Sequence, residues 1–211
     1  MQHQHIAPDG MGWKAFVIAR DQAIRKLSGT VLEIGAGRGE NFSTLPSGVQ
    51  WIGLEPSTRL RRVLTISAQQ AGHDRPPLAA SAEDIPLDDA SVDAVLATTV
   101  LCSVADQQQV LSEIERVLRP GGSVVLAEHV VADAGTNARR AQRLVRPLTK
   151  LFDHGCDPTR DTCSAVHHSN LELQYISPFQ VPVFRRLHIP FVVIEARKPR
   201  ISPQAQLPTG C

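Results

Sequence analysis

The sequence predicts an α/β fold in which a mostly parallel sheet carries helices on both faces. Short apolar runs rich in β-branched residues alternate with amphipathic helical segments through the first 135 residues. A glycine-rich turn at residues 35–39 directly follows the first of these runs. In sheets of this kind the ligand lies at the carboxyl ends of the strands, near the point where the strand order reverses.

Each predicted strand is a short apolar run, as expected for strands covered on both faces. The N-terminal helix has apolar residues at helical spacing from Trp13 to Leu27. Ser57 and Asp106 are predicted N-caps of two further helices, and residues 137–152 form another, with Pro147 as a kink or break. The predicted strands are residues 30–34, 49–54, 78–80, 92–99, 123–131, 171–177 and 191–197.

The composition is that of one globular domain. The chain has 211 residues, 42% of them apolar, and a formal net charge of +1. We expect residues 1–198 to form the domain, with residues 1–28 as an N-terminal helix able to close over a ligand as a lid. Residues 199–211, rich in Pro and Gln, are a predicted disordered tail.

Charge and composition argue against several partners and locations. The near-neutral charge and the aromatic content of 4% do not favour a nucleic-acid partner. Neither a signal peptide nor a run of 18 apolar residues is present, so we expect a cytoplasmic protein without a membrane anchor. The four cysteines form no CxxC pair, which predicts reduced thiols and no metal site.

The spacing of the glycine-rich turn favours a cationic ligand over a dinucleotide. Its glycines follow the pattern GxGxG, whereas the dinucleotide fingerprint is GxGxxG. Glu33 precedes the turn, and Glu40 occupies the place of the third glycine of the fingerprint. Carboxylates disfavour a pyrophosphate but favour a ligand that carries an ammonium group.

Five segments, in order along the chain, resemble the motifs of class I S-adenosylmethionine-dependent methyltransferases. Residues 31–39, with the sequence VLEIGAGRG, are similar to the family's glycine loop. Glu55 at the end of the second strand matches the acid that holds the ribose hydroxyls. The other three segments are residues 81–87 (SAEDIPL), 93–104 and 115–122, the last ending in RVLRPGG.

This resemblance implies a Rossmann-like, doubly wound, mostly parallel sheet of seven strands with the last strand antiparallel. It also implies S-adenosylmethionine as cofactor and S-adenosylhomocysteine as product. The glycine loop would wrap the amino-acid part of the cofactor, and residues 81–87 would flank its adenine. The implied cofactor-binding residues are Glu33, Gly35, Ala36, Gly37, Gly39, Asn41, Glu55, Pro56, Ser57, Ala82, Glu83, Asp84, Thr98, Thr99 and Leu101.

Three segments of the second half resemble the membrane-associated alkyl thiol S-methyltransferases. They are VLCSV at 100–104, EHV at 128–130 and DHGCDPTRDT at 153–162. The resemblance implies a small-molecule thiol as methyl acceptor, although the family's hydrophobic N-terminal anchor has no counterpart in this sequence. The last 40 residues also match only loosely. O-, N- or C-methyl transfer, and S-adenosylmethionine binding without catalysis, therefore stay open as alternatives.

His129 and His154 are the candidate catalytic residues because an imidazole can deprotonate a thiol. A structural role fits each of them equally well. Forming a thiolate at pH 7 from a thiol of pKa about 8.5 costs only about 2 kcal/mol, so a strong base is not required. Trp13, Cys102, His129 and Cys156 are predicted to contact the acceptor.

Overall fold

The computed structural model describes residues 5–6, 10–152, 155–184 and 187–200, and all structural statements refer to these residues. One sheet contains every strand and has the order β1-β7-β8-β6-β5-β3-β4, with β2 also paired to β7. The strands are β1 (His5–Ile6), β2 (Gly10–Met11), β3 (Thr30–Ile34), β4 (Gln50–Leu54), β5 (Val92–Thr98), β6 (Leu118–His129), β7 (Glu172–Phe184) and β8 (Leu187–Arg197).

Five helices accompany the sheet in the described part of the chain. All but α5 were predicted, and α4 continues without a break through Pro147. Among them, no helix is both long enough and apolar enough to cross a membrane. The helices are α1 (Gly12–Ile24), α2 (Thr58–Gln70), α3 (Gln107–Val117), α4 (Asn137–Phe152) and α5 (Thr162–His167).

The strand order reverses at β3. Val31 pairs in parallel with Trp51 of β4 on one side and with Ala94 of β5 on the other. The chain therefore moves from β3 to one edge of the sheet and then crosses back to the opposite side of β3. The carboxyl ends of β3 and β5 diverge at this switch point, which is where α/β sheets of this type bind ligands.

The predicted mostly parallel sheet with an antiparallel last strand is confirmed. β8 runs antiparallel to both of its neighbours, β6 and β7. The count of seven strands is not confirmed, because the described sheet has six strands of five or more residues and two of only two. The predicted strand at 78–80 makes a single bridge, Leu54 to Leu78. Pro76 and Pro77 precede Leu78 and have no N–H to extend the pairing.

The segment after the glycine loop also differs from expectation, because turns rather than a helix occupy residues 35–49. Gly37 and Gly39 both have positive φ, and Pro46 lies only seven residues beyond Gly39. Too few residues remain between these breaks for a stable helix. Asn41 carbonyl oxygen instead accepts from the N–H groups of Thr44 and Leu45.

The core lies on both faces of the sheet, as the predicted alternation of strands and helices requires. One layer packs the apolar stripe of α3, including Leu111 and Ile114, against β3, β5, β6 and β8. The opposite layer packs Phe16 and Ile24 of α1 against the other side of the same strands. Because both layers bury residues from β3 and β5, the carboxyl ends of these strands are held in fixed positions.

Helix α4 has its apolar face in solvent. Leu144 is 80% exposed and Leu148 is 60% exposed. On the opposite face, Gln142 is buried and bridges the β6–α4 connection: its Oε1 accepts from Ala132 N–H and its Nε2 donates to Val130 carbonyl. The polar face of α4 therefore fixes the helix to the protein.

Candidate functional site

A cavity of about 670 Å³ opens at the carboxyl ends of β3, β4 and β5. This volume lies within the range of small-molecule sites. The residues that line it come from α1, the glycine loop, the end of β4 and the segments after β5. They are Trp13, Phe16, Arg20, Ile34, Gly35, Ala36, Gly37, Arg38, Glu40, Asn41, Leu54, Glu55, Pro56, Ser57, Leu60, Ser81, Ala82, Glu83, Thr98, Thr99, Val100, Ser103, Val104, Ala105 and Ala127.

The glycine loop requires glycine for two reasons. Gly35 and Gly37 have φ of 62° and 57°, a conformation that side chains disfavour. A Cβ at Gly35 would also lie 2.6 Å from Cγ2 of Val100, which lines the cavity. The loop can therefore pass close to the segment after β5 and leave its backbone exposed to a ligand.

Glu55 stands at the end of β4 on the edge of the cavity and orders the loops on either side of it. Its Oε2 accepts from the N–H of Gly37 at 3.0 Å, and its Oε1 accepts from the N–H of Ser57 at 2.8 Å. Ser57 in turn caps α2 through the N–H of Leu60. One carboxylate thus connects the glycine loop to the start of α2.

Glu33 lies behind the glycine loop and does not line the cavity. Its Oε1 accepts from Asn41 Nδ2 and its Oε2 from Trp51 Nε1, each at 2.7 Å. Burial raises the pKa of Glu33 from 4.5 to about 7, against the opposing effect of these two hydrogen bonds. Glu33 therefore acts on the cavity through Asn41, which does line it.

Most of the predicted cofactor-binding residues line this one cavity, and four do not. Glu33, Gly39, Asp84 and Leu101 lie outside the lining. Sequence analysis missed Arg20 on α1, because a cation on an exposed helix face carries no local signal of a site. The predicted residues that do line the cavity are Gly35, Ala36, Gly37, Asn41, Glu55, Pro56, Ser57, Ala82, Glu83, Thr98 and Thr99.

Thr99 and Ser103 form the wall of the cavity opposite the glycine loop. Thr99 has φ of 54°, which is unusual for a β-branched residue. Its N–H donates to the carbonyl of Ala127, so the neighbouring strand holds this conformation in place. Directly behind this wall, Cys102 Sγ lies 3.7 Å from Thr99 carbonyl oxygen and 3.5 Å from Ser103 Oγ.

Three of the four predicted acceptor residues come together in one cluster. His129 Nε2 lies 3.1 Å from Cys156 Sγ, and Cys102 hydrogen-bonds with both. Cys102 and Cys156 are buried, and His129 is partly buried. The contact with Cys156, followed by burial, raises the pKa of the Cys102 thiol. The fourth residue, Trp13, lines the cavity and is linked to His129 through the ring of Phe191.

The loop that carries Cys156 is anchored on several sides. The N–H of Asp157 donates to the carbonyl of Cys102, and Asp157 Oδ2 pairs with Arg146 and Lys150 of α4. Burial opposes ionisation of Asp157, but the hydrogen bonds from Thr159 and these two cations together lower its pKa. Predicted His154 lies outside the described residues.

Glu128 is a buried acid next to this cluster that sequence analysis did not single out. Its Oε1 accepts from the N–H groups of Val100 and Leu101 at the cavity wall. No hydrogen-bond donor among the described residues reaches its Oε2. Burial, and then the proximity of Cys102, raise the pKa of Glu128 to about 8. Its place in the EHV segment was the only sequence signal.

Known proteins share both this sequence pattern and this architecture. The methyltransferase domain family matches residues 32–126. The YcgJ protein from Bacillus subtilis superimposes with a TM-score of 0.68 at 18% identity, covering 87% of this chain and 97% of that one. The chain belongs to the class I S-adenosylmethionine-dependent methyltransferases.

Within that class, the chain is similar to proteins named thiol S-methyltransferase. Human TMT1A is 36% identical over 70% of this chain, and mouse TMT1B is 35% identical over 79% of it. The match covers 63% of human TMT1A and 71% of mouse TMT1B.

The residues present fit S-adenosylmethionine. The positive-φ glycines leave the backbone of the loop open to the cavity, and Glu55 places a carboxylate beside it at the end of β4. Ser81, Ala82 and Glu83 provide a further wall where the family places the adenine. The buried volume is large enough for a molecule of this size.

Proposed function

We propose that this protein transfers a methyl group from S-adenosylmethionine to the sulfur of a small-molecule thiol. The observation that carries the proposal is the position of the Cys102–His129–Cys156 cluster. It lies directly behind the wall of the cofactor cavity, at Thr99 and Ser103. The names of the relatives at 35–36% identity point to the same acceptor class.

The cavity divides into two regions that suit a cofactor and an apolar acceptor. The glycine loop, Glu55 and residues 81–83 form the polar region. Trp13 and Phe16 of α1 form an apolar region, with ring centroids 5.4 Å apart. Phe191 extends this apolar region toward His129. An acceptor with an apolar body and a sulfur near Thr99 fits this division.

The chemistry asks mainly for alignment. When bound, the cofactor supplies an electrophilic methyl group on a sulfonium sulfur. The protein's task is to hold the acceptor sulfur in line with that methyl group and to exclude water. A thiol of pKa about 8.5 reaches its reactive thiolate at a cost of about 2 kcal/mol at pH 7. His129, at the cluster, is placed to accept the thiol proton.

A methyl-transfer assay tests the proposal. The purified chain is incubated with S-adenosylmethionine and a panel of alkyl thiols, aryl thiols, phenols, amines and carboxylates, and S-adenosylhomocysteine release is measured. We expect turnover with thiols only. Turnover confined to another acceptor class would contradict the thiol assignment but not the cofactor. Cofactor binding without turnover of any acceptor would indicate a binding protein.

A further inference from the structure

Three metal-ligating side chains from separate segments of the chain meet behind the cavity wall. Cys102 follows β5, His129 ends β6, and Cys156 lies in the loop after α4. Their Sγ atoms and a ring nitrogen all lie within 4.8 Å of one another. Because no two of the ligands are close in sequence, no metal-binding motif could be recognised along the chain.

The geometry is close to that of a tetrahedral zinc site. With Zn–S near 2.3 Å and Zn–N near 2.0 Å, two sulfur ligands lie roughly 3.8 Å apart and a sulfur and nitrogen roughly 3.5 Å apart. The cluster already has a His129–Cys156 distance of 3.1 Å. Shifts of less than roughly 1 Å would therefore bring all three atoms to their ligand positions.

The surroundings hold the three ligands in place. The N–H of Asp157 donates to Cys102 carbonyl at 2.8 Å, which joins the two cysteine segments directly. Asp157 is itself held by Arg146 and Thr159. Anchoring of this kind around first-shell ligands is typical of protein metal sites.

We propose that Cys102, His129 and Cys156 bind a zinc ion whose fourth position faces the cofactor cavity and takes the acceptor thiol as its thiolate. Three protein ligands with one open position is the arrangement of catalytic zinc sites, and soft thiolate ligands suit this metal. The Sγ atom of Cys102 touches Thr99 and Ser103 of the cavity wall, so the open side is adjacent to the methyl group of a bound cofactor.

This inference rests on the proposed function, and the step balances as a simple displacement. The acceptor thiol loses its proton to solvent when its sulfur binds the zinc. The acceptor sulfur then forms a bond to the methyl carbon, and the bond from that carbon to the cofactor sulfur breaks. The electron pair of that bond goes to the cofactor sulfur and neutralises its positive charge. The thioether product is a weaker zinc ligand than the thiolate and departs.

Metal binding is tested on the whole chain, without reference to activity. The reduced protein is stripped with a chelator and titrated with Zn²⁺ in competition with a chromogenic chelator, and Co²⁺ is bound as a spectroscopic probe. We expect one metal ion per chain and thiolate-to-cobalt charge-transfer absorption. Absence of high-affinity zinc binding, or a cobalt spectrum without this absorption, would overturn the inference even if every variant failed to fold.

Cysteine variants locate the site. Cys102→Ser and Cys156→Ser should each weaken zinc binding at least about 100-fold, since each removes a direct ligand. Cys163→Ser is the matched control, because Cys163 lies on α5 outside the cluster and should leave the affinity unchanged. Equal zinc affinity in Cys102→Ser and Cys163→Ser, with circular dichroism showing both folded, would rule out the assignment.

Activity measurements separate this inference from the proposed function. Thiol turnover that is lost on removing zinc and restored on adding it supports both. Equal thiol turnover with and without zinc overturns the zinc role and leaves the proposed function standing. Zinc bound to the cluster without turnover of any thiol overturns the proposed function and the acceptor role, and leaves the metal site itself supported.

Discussion

At the scale of single residues, the site depends on carboxylates whose roles differ with burial. Glu55 lies at the cavity edge and accepts two backbone hydrogen bonds, so it orders the loops that meet there. Glu33, 22 positions earlier, is fully enclosed and holds Asn41 and Trp51 instead. Sequence analysis assigned both acids to the cofactor, and only the structure shows that one of them acts from behind the loop.

Replacing Glu33 by Gln should flatten part of the pH dependence of stability. Glu33 binds its proton more tightly in the folded chain, with a pKa of about 7, than in the unfolded chain, with a value near 4.5. Its contribution is therefore complete below about pH 4.5 and is lost as the pH rises through about 7. Relative to the variant, the wild type should lose up to about 3 kcal/mol across this range.

Urea unfolding at a series of pH values from 4.5 to 8 measures this difference. The comparison uses the change in the difference between the two proteins, because the Gln side chain also alters the hydrogen bonds to Asn41 and Trp51. A constant difference across the range would show that Glu33 does not titrate in it.

At the scale of elements, α3 and α4 show opposite uses of an apolar stripe. The stripe of α3 is buried against the sheet, as its periodicity predicts. α4 also has a strongly amphipathic sequence, but its apolar residues face solvent and its polar face holds Val130, Ala132 and Asp157. Periodicity alone predicts a helix in both cases and cannot indicate which face is buried.

Truncating one leucine on each of these helices should give very different effects. Leu111→Ala in α3 removes a fully buried side chain and should cost about 2–5 kcal/mol of unfolding free energy. Leu148→Ala in α4 removes a side chain that is 60% exposed, and we expect a change within about 0.5 kcal/mol. Urea unfolding of both variants checks this, and a comparable loss in Leu148→Ala would mean that its apolar face is covered in solution.

At the scale of the whole molecule, the cavity is assembled from segments distributed over most of the chain. Trp13 of α1 and Ala127 of β6 both line it. A ligand bound there contacts several elements that must all be folded, so ligand binding is coupled to global stability.

S-adenosylhomocysteine should therefore raise the melting temperature. At a concentration of about 100 times its dissociation constant, it should add about 2.7 kcal/mol. This corresponds to roughly 5–10 °C for a domain of this size. Glu55→Ala should reduce the shift at the same concentration, because the glycine loop loses the acceptor that orders it.

Glu195→Ala is the control, because Glu195 pairs with Lys26 away from the cavity and should leave the shift unchanged. Differential scanning fluorimetry measures all three proteins. Equal shifts in the two variants would argue against the role of Glu55.

The sequence by itself determined the class of fold, the position of the glycine loop and most of the cavity lining. These features depend on local patterns: apolar runs, caps, and glycines where a side chain would be strained or would collide. The sequence also overestimated regularity, predicting a strand at 78–80 that makes only one bridge and a helix after the glycine loop. In both places local prolines and glycines prevail over the wider pattern.

Only the tertiary structure decided which distant side chains meet. Cys102, His129 and Cys156 are separated by 27 residues at each step, so no spacing rule predicted a metal site, and the sequence indicated none. They converge because parallel strands place their carboxyl ends at one edge of the sheet, and because Asp157 ties the loop after α4 to that edge. Burial, which made Glu33 a support rather than a direct ligand, likewise depends on the packing of the whole chain.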